Sequence, residues 1–341
     1  MKYLKFISLP LFIIFALFAE ATVYVLPNTS REPFLSTIMK AQVSIDMTVY
    51  ALDDPIIITA LENAARAGKK VRIIYEPDQF KHALKGIDLG SQQRLAQMQA
   101  AGIELKPFNK TKYKQQHAKM IIVDGMEALI TSANLDKESF DGILAAQIKP
   151  ARDFVVSTHD AGIISEMQNM FNADWTNTDY KPSNPQLVWG PEDQRIKFTT
   201  LIAGAKETLD IYQQDFTDPE ILAATLAAIK KGVKVRLLMM PYPFNKTKDF
   251  NIPNQMEIQK ARGAVYLMTD LYMHAKVVMV DYGTPVAQAY VGSCNFYQPS
   301  IDGNRELGIL VRKDSDLKVL HDTFEMDWKK AKDFVPPASL S

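Results

Sequence analysis

Apolar and polar positions along this chain follow a pattern that occurs twice. Phe34-Leu35-Ser36 opens a helical spacing of apolar residues, Val43 to Tyr50 alternates as a half-buried strand does, and Ile56 to Ala67 returns to helical spacing after Asp54-Pro55. Gly68 ends that helix, and Val71 to Tyr75 is apolar and β-branched enough for a second strand. The same order returns without gaps 164 residues further on. It runs from Phe198-Thr199-Thr200 through a strand at Thr208 to Gln213, Asp218-Pro219, a helix at Glu220 to Lys231 and Gly232, to a strand at Val233 to Met239. Asp46 falls on Asp210 and Val71-Arg72 on Val235-Arg236. A further amphipathic helix follows in each copy, Gln92 to Ala101 before Gly102 and Asn254 to Arg262 before Gly263. Strand, helix, strand is a βαβ unit, so the chain is a duplication of two α/β halves.

Asn177 to Pro191 holds three prolines among Asn, Ser and Thr residues and reads as the connection between halves. The N-terminus has a different character. Lys2 and Lys5 precede an apolar run from Phe6 to Phe18, and Ala19-Glu20-Ala21 resembles a cleavage site. This predicts a signal peptide over 1–21, repeat one over 22–180 and repeat two over 181–341. The run is shorter than the roughly 20 residues a spanning helix needs, and Pro10 interrupts it, which favours cleavage over an uncleaved anchor. No later stretch is comparably apolar, so no transmembrane segment is expected in the mature body, which would be periplasmic or secreted.

The composition, 47% apolar and 23% charged over 341 residues, is that of a folded soluble body. Its 39 basic and 39 acidic residues balance, and loss of Lys2, Lys5 and Glu20 would leave 37 against 38. That balance gives no general support to a nucleic-acid groove, although the lysines between Lys106 and Lys119 could form a local one. The single cysteine, Cys294, cannot form an intramolecular disulfide. Loops 76–91 and 241–253 occupy matching places and are candidates for the rim of a cleft. The pentapeptide Phe-Asn-Lys-Thr-Lys at 108–112 recurs at 244–248, out of register with the repeat.

The chemistry sits late in each half. His117-Ala118-Lys119 is followed by Asp124 and then Thr131-Ser132-Ala133-Asn134. His274-Ala275-Lys276 is followed by Asp281 and then Gly292-Ser293-Cys294-Asn295. Residues i and i+2 of a strand share a face, so each His points with its Lys. If the halves meet about a pseudo-two-fold axis, two imidazoles and two ammonium groups converge, which suits a phosphate. A lone His in a strand would carry no such meaning. His82, His159 and His321 lack this context and are read as surface residues; lysine two residues from each motif His argues against a metal, and no cofactor is expected.

At these residues the chain resembles the phospholipase D superfamily, marked by a doubled H-x-K-x4-D followed by G-S-x-N. The resemblance implies two pseudo-symmetric α/β/α repeats, mixed sheets flanked by helices, with one active site at their interface, so that a monomer suffices for one site. It implies a phosphohistidine mechanism with His117 as nucleophile, His274 as acid/base, and Lys119, Lys276, Asn134 and Asn295 on the phosphate. Each His needs a carboxylate at its other ring nitrogen. The candidates are Glu306, in Asn304-Arg305-Glu306, and Asp153, at the matching place although Ala151 stands where Asn is usual. Asp124 and Asp281, with Ser132 and Ser293, are expected to be structural. Thr131 replaces the family's Gly, and Tyr282-Gly283-Thr284-Pro285 lengthens a turn.

The expected substrate is a phospholipid at a membrane surface, whose head-group phosphodiester is hydrolysed. A nuclease acting on DNA or RNA is the alternative enzyme, and a degenerate phosphate-binding scaffold the non-enzyme one. Tyr272, Met273, Phe296 and Tyr297 are candidates for an apolar entrance, with core packing as the competing reading.

Overall fold

The structure is a computed structural model describing residues 21–80, 89–146, 148–243 and 248–337. The apolar N-terminal run, His82, parts of both rim loops and most of the second Phe-Asn-Lys-Thr-Lys copy lie outside the described residues. The strands of the first half are β1 (Ala21–Leu26), β2 (Ser44–Val49), β3 (Lys70–Tyr75), β4 (Glu104–Pro107), β5 (Met120–Val123), β6 (Glu127–Thr131) and β7 (Ala151–Thr158). Those of the second are β8 (Leu187–Gly190), β9 (Thr208–Tyr212), β10 (Lys234–Met239), β11 (Ala264–Leu267), β12 (Tyr272–Met273), β13 (Val277–Val280), β14 (Gln288–Gly292), β15 (Glu306–Val311) and β16 (Lys332–Asp333).

Two mixed sheets result, with matching orders. One runs β1-β7-β6-β5-β2-β3-β4 and the other β8-β15-β14-β13-β9-β10-β11-β16. In each, three strands are parallel, as βαβ crossovers require, and the motif strands pair antiparallel. The strand β8 falls inside the Pro-rich stretch Asn177 to Pro191, so the true connection is the shorter segment before Leu187. Prolines flank β8 and leave its own ladder with β15 intact.

The Asp-Pro pairs start helices for a physical reason. Asp54 accepts the free N–H groups of Ile56 and Ile57, Asp218 those of Glu220 and Ile221, and the following proline occupies the first helical position. These helices, Pro55–Arg66 and Pro219–Lys230, end before Gly68 and Gly232 at φ +84° and +93°. Gly102 is also left-handed, but in the second half Arg262 takes the positive φ instead. Gly263 is required there by packing, since a Cβ would stand 2.6 Å from Ile258 Cγ2.

Both faces of the motif strands are buried. Ile121 and Val123 join an outer core that belongs to the first half, while Met120 and Ile122 face a central core. Val278 and Val280 face the outer core of the second half, and Val277 and Met279 join the same central core. That central core contains Phe154 and Ile74 from one sheet, Tyr212 and Leu307 from the other, and the helices Ala161–Thr176 and Asp314–Lys330. The halves therefore share one interior. Met273 and Phe296 are fully buried in core clusters, which removes them from any entrance.

Two buried ion pairs also cross between the halves. Arg152 of β7 donates to Asp327 of the C-terminal helix at 2.7 and 3.0 Å, and Arg305 lies 3.0 Å from Asp174 of the first half's last helix. Arg305 also reaches Glu192 at 2.8 Å. Removing one partner of a buried pair leaves an uncompensated charge, at a cost of about 3–5 kcal/mol. Arg305→Met is therefore expected to lower the denaturant-derived stability by about that amount, whereas a change below about 1 kcal/mol would show that the cross-half pair does not hold the interface.

Candidate active site

Each motif segment enters the site along the strand of the opposite half. The short β12 pairs parallel with β7 at Ala151 and Arg152, and the backbone N–H of His274 donates to the Arg152 carbonyl at 3.2 Å. In the mirror position, the N–H groups of His117 and Ala118 both donate to the Arg305 carbonyl at 2.8 Å. His117 to Lys119 and His274 to Lys276 thus precede β5 and β13 rather than lying within them, because their backbones are engaged by the other half.

This crossing decides which carboxylate each histidine meets. His117 Nδ1 lies 2.9 and 3.0 Å from the Glu306 oxygens, and His274 Nδ1 lies 3.0 Å from both Asp153 oxygens. Each carboxylate is held in turn by the serine of its own half. Ser132 Oγ donates to Asp153 at 2.5 Å, and Ser293 Oγ donates to Glu306, which also accepts from Ser300 at 2.6 Å. With Nδ1–H committed to a carboxylate, Nε2 of each ring is the available atom. Ala151, in place of the usual Asn, does not displace Asp153, which is fully buried.

Burial and charge set the protonation states. Burial pulls the His117 imidazole down to about 4 against the opposing pull of Glu306, and lowers His274 likewise against Asp153. Burial would raise both carboxyls, but the facing imidazoles, lysines and serine hydroxyls hold them below the usual range. Lys119 is lowered to about 7 and Lys276 to about 8, chiefly by burial. Lys119 Nζ donates to the His117 carbonyl at 2.7 Å, and Lys276 Nζ to the His274 carbonyl. Two ammonium groups, two carboxylates and two imidazoles are thus buried together, all held out of bulk water.

His117 and His274 open onto one cavity of about 240 Å³, which Asn134, Tyr50, Gln214, Tyr272, Asp136 and Lys149 help to line. The buried side-chain oxygens of Asn134 and Asn295 have no hydrogen-bond partner, which marks both amides for a polar ligand. Asp124 and Asp281 lie elsewhere. Asp124 accepts the backbone N–H groups of Gln42, Val43 and Ser44, and Asp281 those of Lys206, Glu207 and Thr208, tying each turn to the start of β2 or β9. Thr131 is accommodated where its counterpart Gly292 is obligatory. A Cβ on Gly292 would meet the Tyr290 hydroxyl at 2.4 Å, whereas Leu129 stands in place of Tyr290 in the first half and Thr131 Oγ donates to the Phe154 carbonyl at 2.9 Å.

Of the lysines between Lys106 and Lys119, Lys114 is exposed and the others are engaged or buried. Lys106 donates to the Trp175 carbonyl, Lys110 pairs with Glu76 and Asp78, Lys112 pairs with Asp179, and Lys119 is buried. His159 is exposed and His321 stacks on Tyr282.

A family model described as cardiolipin synthase, PLD-like domain, matches residues 34–175 and 198–328, one segment in each half. The chain belongs to the phospholipase D-like family. Its relatives include cardiolipin synthase 2 of Bacillus anthracis, 23% identical over 336 residues covering 88% of this chain and 63% of that one. The major cardiolipin synthase ClsA of Bacillus subtilis is also 23% identical, with coverages of 92% and 70%. The phospholipase D-like chain thus spans less than two thirds of the length of the first of these. Among solved structures, phosphatidylserine synthase of Haemophilus influenzae superposes with a TM-score of 0.69 at 13% identity, covering 92% of this chain and 87% of that one. Polyphosphate kinase of Porphyromonas gingivalis gives 0.70 at 16%, with 93% and 49% covered. These last two are likenesses of fold.

Residues missed in the sequence are Asp136 and the pair Tyr50 and Gln214. Asp136 lines the cavity, and burial raises its carboxyl to about 6. Tyr50 and Gln214 occupy aligned positions just past β2 and β9, so the repeat itself carried the signal.

The lowered lysine and histidine values define a stability test. Lys119 titrates near 7 when folded and near 10.5 in the unfolded chain, so the unfolded state binds more protons between those values and stability rises with pH across that window. His117 acts in the same sense lower down, where stability falls as pH drops from 6.5 towards 4. Denaturant midpoints measured across this range are expected to show both slopes. Lys119→Met should flatten the alkaline one; a variant profile parallel to the wild type would contradict the buried, depressed lysine.

Proposed function

We propose that this protein cleaves the head-group phosphodiester of a phospholipid and passes the phosphatidyl group to an acceptor through a phosphohistidine. The observation that carries this reading is the convergence of two crossed histidine–carboxylate pairs on one cavity. A phosphodiester entering between the imidazoles supplies the negative charge that Lys119 and Lys276 lack and raises the proton affinity of the facing histidine. His117 Nε2 attacks phosphorus as the P–O bond to the head group breaks, and His274 Nε2 gives its proton to the leaving alcohol. His274 then takes a proton from the incoming acceptor as the P–N bond to His117 breaks. Glu306 and Asp153 hold the two rings and stabilise their charged forms.

The lipid donor is supported by the names of the relatives, which are cardiolipin synthases, and those names favour an alcohol as acceptor. Water in the same place gives phosphatidic acid, the hydrolytic outcome expected from the sequence. Against a nuclease stand the acidic partners of Lys110 and Lys112 and the carboxylates Asp136 and Glu138 at the cavity. The basic, then apolar N-terminus supports a location outside the cytoplasm. Ala21 already pairs with Thr158 in β1, so a cut just before it would preserve that strand better than one after it.

The test uses protein recovered from an extracytoplasmic fraction, with its first residue read directly. A start near Ala21 supports cleavage on export, and an intact Met1 opposes that cleavage. On phosphatidylglycerol vesicles with EDTA, glycerol release is expected, with His117→Ala and His274→Ala each slower by at least about a hundredfold. Diphosphatidylglycerol as product marks transfer and phosphatidic acid marks hydrolysis. Cleavage of single-stranded DNA with lipid left intact would replace this reading with the nuclease.

A further inference from the structure

Among the aligned residues that flank the two histidines, one pair has changed places. Beside His117, the tyrosine comes from the segment after β2 and the glutamine from the motif segment: Gln115 Nε2 donates to the Tyr50 hydroxyl at 3.3 Å. Beside His274, the glutamine comes from the segment after β9 and the tyrosine from the motif segment: Gln214 Nε2 donates to the Tyr272 hydroxyl at 2.9 Å. The pairing is kept, but what faces the cavity differs. On the first side the Tyr50 ring stands edge-on to His117 at 4.8 Å, with Lys119 over its face at 5.1 Å and Gln79 donating to its hydroxyl at 2.6 Å. That side is closed by an aromatic ring.

On the second side an amide lines the cavity together with Tyr272. Gln214 is 1% exposed and lines the cavity, and with its nitrogen tied to Tyr272 its Oε1 is buried without a partner. Burying an unpaired amide oxygen is costly, so its retention at this place points to a ligand that donates a hydrogen bond. The non-bridging oxygens of a phosphodiester only accept. A hydroxyl donates.

We infer that Gln214 Oε1 receives a hydroxyl of the acceptor alcohol, making the His274 side of the cavity the alcohol side and favouring acceptors with a second hydroxyl beside the reacting one. The inference rests on the two-histidine transfer chemistry above. In the second step the reacting hydroxyl forms the new P–O bond as the P–N bond to His117 breaks, and its proton passes to His274 Nε2. The neighbouring hydroxyl of the same molecule donates to Gln214 Oε1 and orients it. Tyr272 is a positioning residue that fixes the amide.

The experiment uses bis(p-nitrophenyl) phosphate as donor, so that it does not depend on a lipid substrate, with glycerol and ethanol competing against water. Total p-nitrophenol release reports cleavage, and the ratio of glycerol to ethanol adducts reports acceptor choice. The wild type is expected to prefer glycerol, and Gln214→Met to reduce that preference about tenfold, which corresponds to about 1.4 kcal/mol. Tyr272→Phe should move the ratio in the same direction by less and serves as the readout if Gln214→Met does not fold. A Gln214→Met ratio within twofold of the wild type, or a wild type without preference, would overturn the inference. A wild type that releases no p-nitrophenol would instead remove the two-histidine reading, and this inference with it.

Discussion

The arrangement on which everything else depends is the crossing of buried charge between the halves. Glu306 of the second half orients His117 of the first, and Asp153 of the first orients His274 of the second. Immediately behind, Arg305 meets Asp174 and Arg152 meets Asp327, again across the interface. Neither half can satisfy these groups alone. A carboxylate as buried as Asp153 or Glu306 is costly without the imidazole and lysine that face it from the other half, so the assembled site depends on the docked halves.

That arrangement also sets the electrostatics of the site. Lys119 and Lys276 are held out of water with their ammonium groups on the carbonyls of their own motif histidines, and both have lowered proton affinity. The folded protein therefore maintains a cluster that an anion would stabilise. Water exclusion strengthens each electrostatic contact the anion makes. The shared central core supplies the rigidity: helices from both halves and the inner faces of both sheets fix the two motif segments against each other.

The duplication, the α/β character and the helix starts were legible because they rest on local rules: alternation, helical spacing, Asp-Pro caps and terminal glycines. Boundaries moved by a few residues where ladders with distant strands decided them. The crossing itself was not legible. Asp153 and Glu306 could be picked out as partners, but which histidine each would face depends on docking, which no local pattern encodes. The same limit hid the fate of the Lys106 to Lys119 cluster, whose acidic partners Glu76, Asp78 and Asp179 come from elsewhere in the chain, and the burial of Met273 and Phe296. Tyr50 and Gln214 hold aligned places in the two repeats. Only the compensating exchange of Gln115 and Tyr272 gives them meaning.

Histidine-selective nitrogen NMR on the whole chain tests the crossing most directly, since five histidines give a resolvable set. Glu306→Gln is expected to shift the Nδ1 resonance of His117 and leave that of His274 in place, and Asp153→Asn to do the reverse. If each substitution instead moved the histidine of its own half, the shared, crossed site would be contradicted.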